Sequence, residues 1–282
     1  MSERFAAFSF VDRITRRTTH RIEGRYAVPA RATGFPASLM AEAVGQLAAW
    51  SAMSSLDFGL RPVAGIAAQT RYLRLPRPGQ TLMLEAEIAR CDAEAVAYSG
   101  RATIDGQCAL ELVDCIGPML PMQDFDSSAA VRADFDTLCG PGAAPDRFAG
   151  LPAPQVQTTG QVGALRIEAS LRVPARGEAA FFGDHFPRRP VYPGTLLMDA
   201  LAGLAVKLAH AGVGALQASD WLPRVVSDVK IRAFTPPGAT LALLAEVLDS
   251  DSRSSRIKLL ARADGKVVAS ARIEVGPPGD WP

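Results

Sequence analysis

Hydrophobic and polar positions alternate along several stretches of the chain, and this two-residue period predicts β-strands. The alternating stretches lie at residues 21–28, 65–75, 81–91, 95–104 and 108–116. Asp-Gly pairs at 105–106 and 264–265 follow such runs and predict tight hairpin turns. Two other segments, 38–53 and 195–211, repeat apolar residues every three or four positions and predict buried helices.

The same pattern occurs twice along the chain. Residues 21–31 and 166–176 are identical at seven of eleven positions, at an offset of 145. The two apolar helices match at an offset of 157, which aligns Glu42 with Asp199. Repetition of a whole unit predicts two structurally equivalent halves. The change of offset indicates that the first copy lacks about twelve residues between its strand and its helix.

The longer loop of the second copy, residues 183–194, contains the candidate chemistry. Its three prolines restrict the backbone and hold His185 on a defined path into the following helix. Histidine is the side chain whose charge changes most readily near neutral pH. Asp199 lies inside that apolar helix, where a carboxylate must be paired, hydrogen-bonded or functional. The matching region of the first copy contains no histidine.

This loop and helix resemble the signature of the hot-dog-fold β-hydroxyacyl-acyl-carrier-protein dehydratases. The matching residues are Gly183, His185, Phe186, Pro187, Pro190, Pro193, Gly194 and Asp199. Residues 229–241 resemble the strand-turn-strand that follows the central helix in that family, so the resemblance covers nearly all of the second half. It implies an α+β fold, a double hot-dog in which each half is a curved antiparallel sheet wrapped around a central helix.

The repeat predicts two domains and a connection. The N-terminal hot-dog is expected at residues 1–120 and the C-terminal one at 161–282, with a first strand that starts as early as 148. Residues 121–160 are rich in proline, glycine, alanine, serine and aspartate, as is typical of a linker. A linker of this length favours a short helix of its own, which we expect at 128–139.

The resemblance also implies how the site is assembled. In that family, two units pair side by side, and each pocket takes its histidine from one unit and its acid from the helix of the other. His185 is therefore expected to face Glu42 in one working site, and Asp199 to face the shortened loop in a vestigial one. The linear spacing leaves open a site made of His185 and Asp199. The backbone N–H of Gly194, at a helix N-terminus, is the expected donor to an enolate-like oxygen.

The implied activity is the dehydration of 3-hydroxyacyl thioesters to trans-2-enoyl thioesters in fatty acid, polyketide or related lipid synthesis. The expected substrate is linked to acyl carrier protein or to CoA, and no cofactor is expected beyond the phosphopantetheine arm that arrives with it. The alternatives are a hot-dog thioesterase and a non-catalytic acyl-binding or scaffold protein. Arg188, Arg189, Lys230 and Arg232 are candidate contacts for the carrier or the pantetheine phosphate.

Composition argues against several other classes of protein. The net charge of +1 and the scattered arginines argue against nucleic acid as a partner. The absence of a long uninterrupted apolar run predicts no membrane span, and a cytoplasmic location is expected. The four cysteines lack the spacing of a zinc site, so free thiols and no metal are expected.

The helical pattern assigns Trp50, Met53 and Leu197 to core packing. A chain of 282 residues is long enough for two hot-dog units and predicts a pseudo-dimeric monomer. A higher homo-oligomer is the alternative assembly.

Overall fold

The computed structural model describes residues 5–32, 35–144, 148, 150–212 and 221–277. The helices are α1 (Ala37–Ser55), α2 (Ser128–Cys139), α3 (Phe181–Asp184) and α4 (Gly194–Gly212). The strands are β1 (Arg13–Arg17), β2 (Arg21–Ala27), β3 (Leu60–Pro62), β4 (Ile66–Tyr72), β5 (Thr81–Cys91), β6 (Ala95–Ile104), β7 (Gln107–Pro121), β8 (Gln155–Val162), β9 (Arg166–Arg172), β10 (Leu222–Ile231), β11 (Thr240–Ser250), β12 (Ser255–Ala263) and β13 (Lys266–Gly276). A short 3-10 helix spans Met122–Asp124.

The strands form one antiparallel sheet whose two ends mirror each other. Their order is β1-β2-β5-β6-β7-β4-β10-β13-β12-β11-β9-β8, and β3 pairs separately with β7. The junction is between β4 and β10, where Thr70 lies opposite Val226. Reading outward from this junction gives the same succession of strands in each half, so the internal repeat and the double hot-dog fold are confirmed.

The alternating sequence pattern explains which face of each sheet is buried. On β5, the apolar residues at 82, 84, 86 and 88 are buried, while their neighbours are mostly exposed. On β11, Leu241, Leu243 and Ala245 repeat this arrangement. Because side chains of a strand point alternately to opposite faces, each half presents an apolar concave face. The central helices α1 and α4 fill these two faces and bury most of their leucines and alanines.

Helix α4 is long and apolar enough to cross a membrane by length and composition alone. Its apolar side chains, however, are buried in the protein core, including Leu201, Leu204 and Leu208. A helix that is wrapped by its own sheet meets the same compositional test as a membrane span. We therefore assign α4 to the core.

The predicted difference between the two halves is present in the loops that precede the central helices. Nine residues separate β2 from α1, whereas twenty-one separate β9 from α4. The twelve additional residues of the second half include α3 and His185. The shortened loop of the first half has Phe35 packed against Tyr26 and Phe10.

Some strands were not predicted by the alternating pattern. Strand β1 and strand β8 lie at the two edges of the sheet, and their sequences, RITRR and QVQTTGQV, are mostly polar. Edge strands that face water carry few apolar residues, so alternation is weak there. Strand β8 covers Gln155–Val162 and crosses the expected domain boundary at residue 161. Strand β7 continues to Pro121, five residues beyond the predicted end.

Candidate active site

A cavity of about 820 Å³ lies between the two halves. Loop 183–194 of the second half forms one wall, and strands β4 and β10 contribute another. Helix α1 lines the cavity along one face, with residues three or four positions apart: Ser38, Ala41, Glu42, Gly45, Gln46, Ala49, Trp50 and Met53. Helix α4 contributes its first turn alone, with Gly194, Thr195, Leu197 and Met198. The cavity is therefore asymmetric and follows the helix of the first half.

His185 lies on this cavity, and its ring orientation is fixed by the loop. The Nδ1 atom is 3.2 Å from the carbonyl oxygen of Val191. Because a carbonyl can only accept, Nδ1 carries the proton and Nε2 is left with a free lone pair. The Val191 N–H in turn donates to the His185 carbonyl at 3.3 Å. The ring stacks on Phe186 at a centroid distance of 4.1 Å.

Burial is the main cause of the low basicity of His185. It lowers the pKa of the imidazole to about 4, and the positive charge of Arg61 acts in the same direction. The hydrogen bond to Val191 acts in the opposite direction. At neutral pH the imidazole is therefore uncharged, which is the form that accepts a proton.

Glu42 lines the same cavity and accepts hydrogen bonds from both halves. Thr195, on α4, donates its hydroxyl to Oε2 at 2.7 Å. Gln46, one turn further along α1, donates its amide to Oε1 at 2.9 Å. Burial raises the pKa of the Glu42 carboxyl, while these two hydrogen bonds and the charge of Arg61 lower it. The net shift is upward, so the protonated acid persists above the ordinary value of 4.5.

The second carboxylate occupies the equivalent place in the other half. Asp199 Oδ1 accepts a hydrogen bond from Ser38 Oγ at 3.2 Å. Ser38 matches Thr195 at the offset of 157, so the two acid–hydroxyl pairs are related by the internal repeat. Asp199 also raises the pKa of the buried tyrosines Tyr72 and Tyr192, after the larger effect of burial. Among the described residues that line the cavity, Glu42 is present and Asp199 is not.

Glu42 and Asp199 differ in the hydrogen-bond donors on their own helices. Gln46 holds Glu42 from one turn away, whereas the position that matches Gln46 in the second half is Gly203. Sequence reasoning missed Gln46, although its spacing of four residues from Glu42 on an apolar helix indicates a contact. It also missed Thr195 and Arg61. Arg61 lines the cavity with its guanidinium 4.2 Å from the centre of the Phe186 ring, and no motif marks it.

The residues assigned to packing take part in the cavity. Met53 and Leu197 are buried in the core and Trp50 packs against it, as predicted, and all three also line the cavity. Apolar residues on a helix have the same spacing whether they face a core or a ligand cavity, and the pattern does not separate the two.

The predicted carrier-binding residues are all exposed. Arg188 donates to the Gln123 carbonyl at 3.0 Å, and Arg189 lies 4.7 Å above the Phe234 ring. Arg232 donates to Ser270 at 2.8 Å. Arg188, and Arg189 through the Phe125 ring 5.8 Å away, thus attach the connection between the halves to the histidine loop. Binding of a carrier by these residues, and by Lys230, stays a prediction.

No group of three or more histidine, cysteine, aspartate or glutamate residues that could hold a metal occurs in the described ranges. All four cysteines are free thiols. Cys115 is buried, Cys91 and Cys108 are half-buried, and Cys139 is exposed.

Comparison with known families agrees with the repeat and the histidine loop. Residues 154–272 match the family model described as a FabA-like domain. The matched range contains the histidine loop and helix α4. One relative, the 3-hydroxyacyl-[acyl-carrier-protein] dehydratase FabZ of Ruminiclostridium cellulolyticum, is 35% identical over 97 residues, which are 33% of this chain and 66% of that protein. The FabZ of Ralstonia nicotianae is 36% identical over 95 residues, 33% of this chain and 58% of that protein.

The chain thus spans less than two thirds of the length of either relative. Solved structures match it over nearly its full length but at low identity. A hot-dog-fold protein from Alicyclobacillus acidocaldarius has a TM-score of 0.56, 12% identity, and coverage of 97% of this chain and 98% of that one. A MaoC-like dehydratase has a TM-score of 0.56, 14% identity, and coverage of 93% and 98%. An acyl-ACP thioesterase from Bacteroides thetaiotaomicron has a TM-score of 0.54, 8% identity, and coverage of 90% and 97%. These likenesses show the fold of both halves together.

Proposed function

We propose that this protein interconverts 3-hydroxyacyl and trans-2-enoyl thioesters at one site, built by His185 from the second half and Glu42 from the first. The observation that carries the proposal is that these two side chains line one cavity together with Gly194. The match to the FabA-like family model supports it, because the matched residues, 154–272, include His185. The substrate class is a thioester of acyl carrier protein or CoA, with its acyl chain along the apolar face of α1.

The proton transfers follow from the protonation states of the two side chains. Dehydration removes a proton from the carbon next to the thioester carbonyl, and the neutral Nε2 of His185 accepts it. The hydroxyl on the β carbon leaves as water after Glu42 gives it a proton. The pKa of His185 is about 4 and that of Glu42 lies above its ordinary 4.5. Between these values both groups are neutral, as the dehydration direction requires.

The negative charge that develops on the thioester oxygen needs a fixed donor. Gly194 is the first residue of α4, and an N–H at that position has no acceptor within the helix. A Cβ at Gly194 would lie 3.5 Å from Ile231 and 3.6 Å from Ala64, in ordinary contact with the cavity wall. Glycine leaves this space to the substrate.

The pH dependence of the rate tests these protonation states. We expect kcat/KM to rise with pH up to about 4, as His185 loses its proton, and then to level off. It should fall again as Glu42 ionises, above its ordinary value of 4.5. The measurement is the initial rate of 3-hydroxyacyl thioester dehydration, followed by the gain of enoyl absorbance in overlapping buffers. A rate that still rises through pH 6 to 7 would contradict a neutral, buried His185.

The competing activity is hydrolysis of the thioester, which is considered because the acyl-ACP thioesterase shares the fold. Incubation with a short enoyl thioester separates the two reactions. Hydration removes the ultraviolet absorbance of the conjugated enoyl group and leaves the thioester intact, whereas hydrolysis releases a free thiol. We expect loss of absorbance without thiol release. Thiol release without 3-hydroxyacyl product would favour the thioesterase, and binding without either reaction would favour an acyl-binding protein.

A further inference from the structure

We infer that residues 5–10 form a strap that holds the histidine loop in place, and that Asp184 is the positioning residue through which the strap acts. The strap belongs to the first half and precedes its first strand. Asp184 belongs to the second half and is the neighbour of His185. The inference rests on the proposed function, since it concerns the orientation of His185 in that site.

The contact between the strap and Asp184 is specific. The backbone N–H groups of Ala7 and Phe8 both donate to Oδ2 of Asp184, at 2.9 and 3.0 Å. Hydrogen bonds to a charged acceptor are stronger than those between neutral groups, and here two donors meet one oxygen. Five residues of the strap, 5–9, line the cavity, so the strap also forms a wall of the site.

The strap touches the imidazole itself. The ring of Phe8 lies edge-on to His185 at a centroid distance of 5.3 Å, and Phe8 is buried. Phe10 is fully buried and packs against Tyr26 and Phe148, which anchors the strap in the first half. The ring of Phe8 therefore shields His185 from water, and burial is the main cause of its low basicity.

The strap also reaches the acid. Gln46 accepts from the Phe10 N–H at 2.8 Å and donates to the Phe8 carbonyl at 3.1 Å. The same Gln46 amide donates to Glu42. One segment is thus bound to the histidine loop through Asp184 and to the acid through Gln46. The first half, which lacks a histidine loop of its own, supports the loop of the second half with these residues.

Replacement of Asp184 tests this role with two readouts that do not require turnover, amide exchange and the titration of His185, and with one that does, kcat. In Asp184→Ala, amide exchange at Ala7 and Phe8 should become fast, because both donors lose their acceptor. The pKa of His185, followed by NMR titration, should rise from about 4 towards its ordinary 6.5, because the strap no longer shields the ring. We expect kcat to fall on the order of 10²-fold with a smaller change in KM, as small misplacements of catalytic groups do.

Two further variants make the test specific. Asp184→Asn keeps an oxygen that accepts both N–H groups and should restore the amide protection, the pKa of His185 and most of kcat. Glu178→Ala is the matched control, because Glu178 lies in the same connection between β9 and α4 and accepts a backbone N–H from Ala175 at 2.8 Å, away from the strap. It should leave all three readouts unchanged.

Fast exchange of Ala7 and Phe8 in the unmodified protein would overturn the inference. So would an Asp184→Ala variant whose His185 keeps its pKa near 4. If the unmodified protein acted on no thioester, the proposed function would fail, while amide exchange and the histidine titration would still decide whether the strap positions His185.

Discussion

Replacing His185 by alanine is expected to lower kcat/KM for enoyl thioester hydration by about 10²–10⁴-fold, the usual contribution of a general acid–base group. His185 lines the cavity, and its Nε2 keeps a lone pair for the reaction because Nδ1 is bound to Val191. Histidine occurs at three positions, and His20 lies exposed between β1 and β2. His20→Ala is therefore the control and should keep the activity of the unmodified protein.

The His185→Ala experiment needs a check on folding, since the loop also packs through its aromatic neighbours. Thermal unfolding should stay cooperative with a modestly lower midpoint, because the variant loses one ring hydrogen bond and the contacts of the imidazole with Phe186 and Phe8. A folded His185→Ala variant with full activity would remove the histidine from the mechanism. A variant without activity on any thioester, alongside an active His20→Ala control, would support it.

The sequence predicted the fold because two independent signals coincide. The internal repeat located the equivalent strands and helices, and the offset change predicted the shortened loop of the first half. The structure contains that twelve-residue difference between the loops before α1 and α4. The dehydratase motif located His185 and Gly194 on a loop and a helix N-terminus, and both lie on the cavity.

The parts that were not predicted depend on contacts between segments far apart in the chain. The bonds from Ala7 and Phe8 to Asp184 join residues 177 and 176 positions apart, and no local pattern encodes such a pairing. The connection between the halves was predicted as a linker. Its expected helix is α2, Ser128–Cys139. Not predicted is that the Phe125 ring lies 5.0 Å from the Phe186 ring, measured between centroids, and that the Phe125 carbonyl accepts from the Arg188 N–H. Polar edge strands and aromatic anchors of this kind follow from tertiary packing.

The same dependence on tertiary contacts favours Glu42 over Asp199 as the proposed acid. From the sequence, Asp199 is the nearer of the two to His185 and lies in the matched motif. In the structure it is Glu42 that lines the cavity with His185, and it is Glu42 that has the additional donor Gln46. Linear distance is a poor guide here, because the antiparallel sheet places the helix of one half beside the loop of the other.

Isosteric amide substitutions at Glu42 and Asp199 should therefore show which of the two carboxyls the reaction requires. Glu42→Gln is expected to lower kcat/KM by about 10²–10⁴-fold, since the amide has no acidic proton to give. Asp199→Asn should leave kcat/KM close to that of the unmodified protein, because Asn still accepts the hydrogen bond from Ser38. The reverse result would assign the acid to Asp199 and place the working site within the second half.

The free energy of unfolding provides a control for the two amide variants, because burial of the carboxyl destabilises the folded protein in the same way at Glu42 and at Asp199. Burial raises the pKa of each carboxyl above its ordinary value, so each folded form holds its proton more tightly than the unfolded chain does. Ionisation then disfavours folding at pH values above those ordinary values, 4.5 for Glu42 and 3.8 for Asp199, and the cost vanishes below them. Both amide variants should therefore unfold at higher urea concentration than the unmodified protein at pH 7, and the difference should shrink towards pH 4. Both substitutions remove the free-energy cost of burying an ionisable carboxyl, and only Glu42→Gln is expected to remove activity. A loss of turnover in Glu42→Gln alone is therefore caused by the missing acid and not by a change in stability.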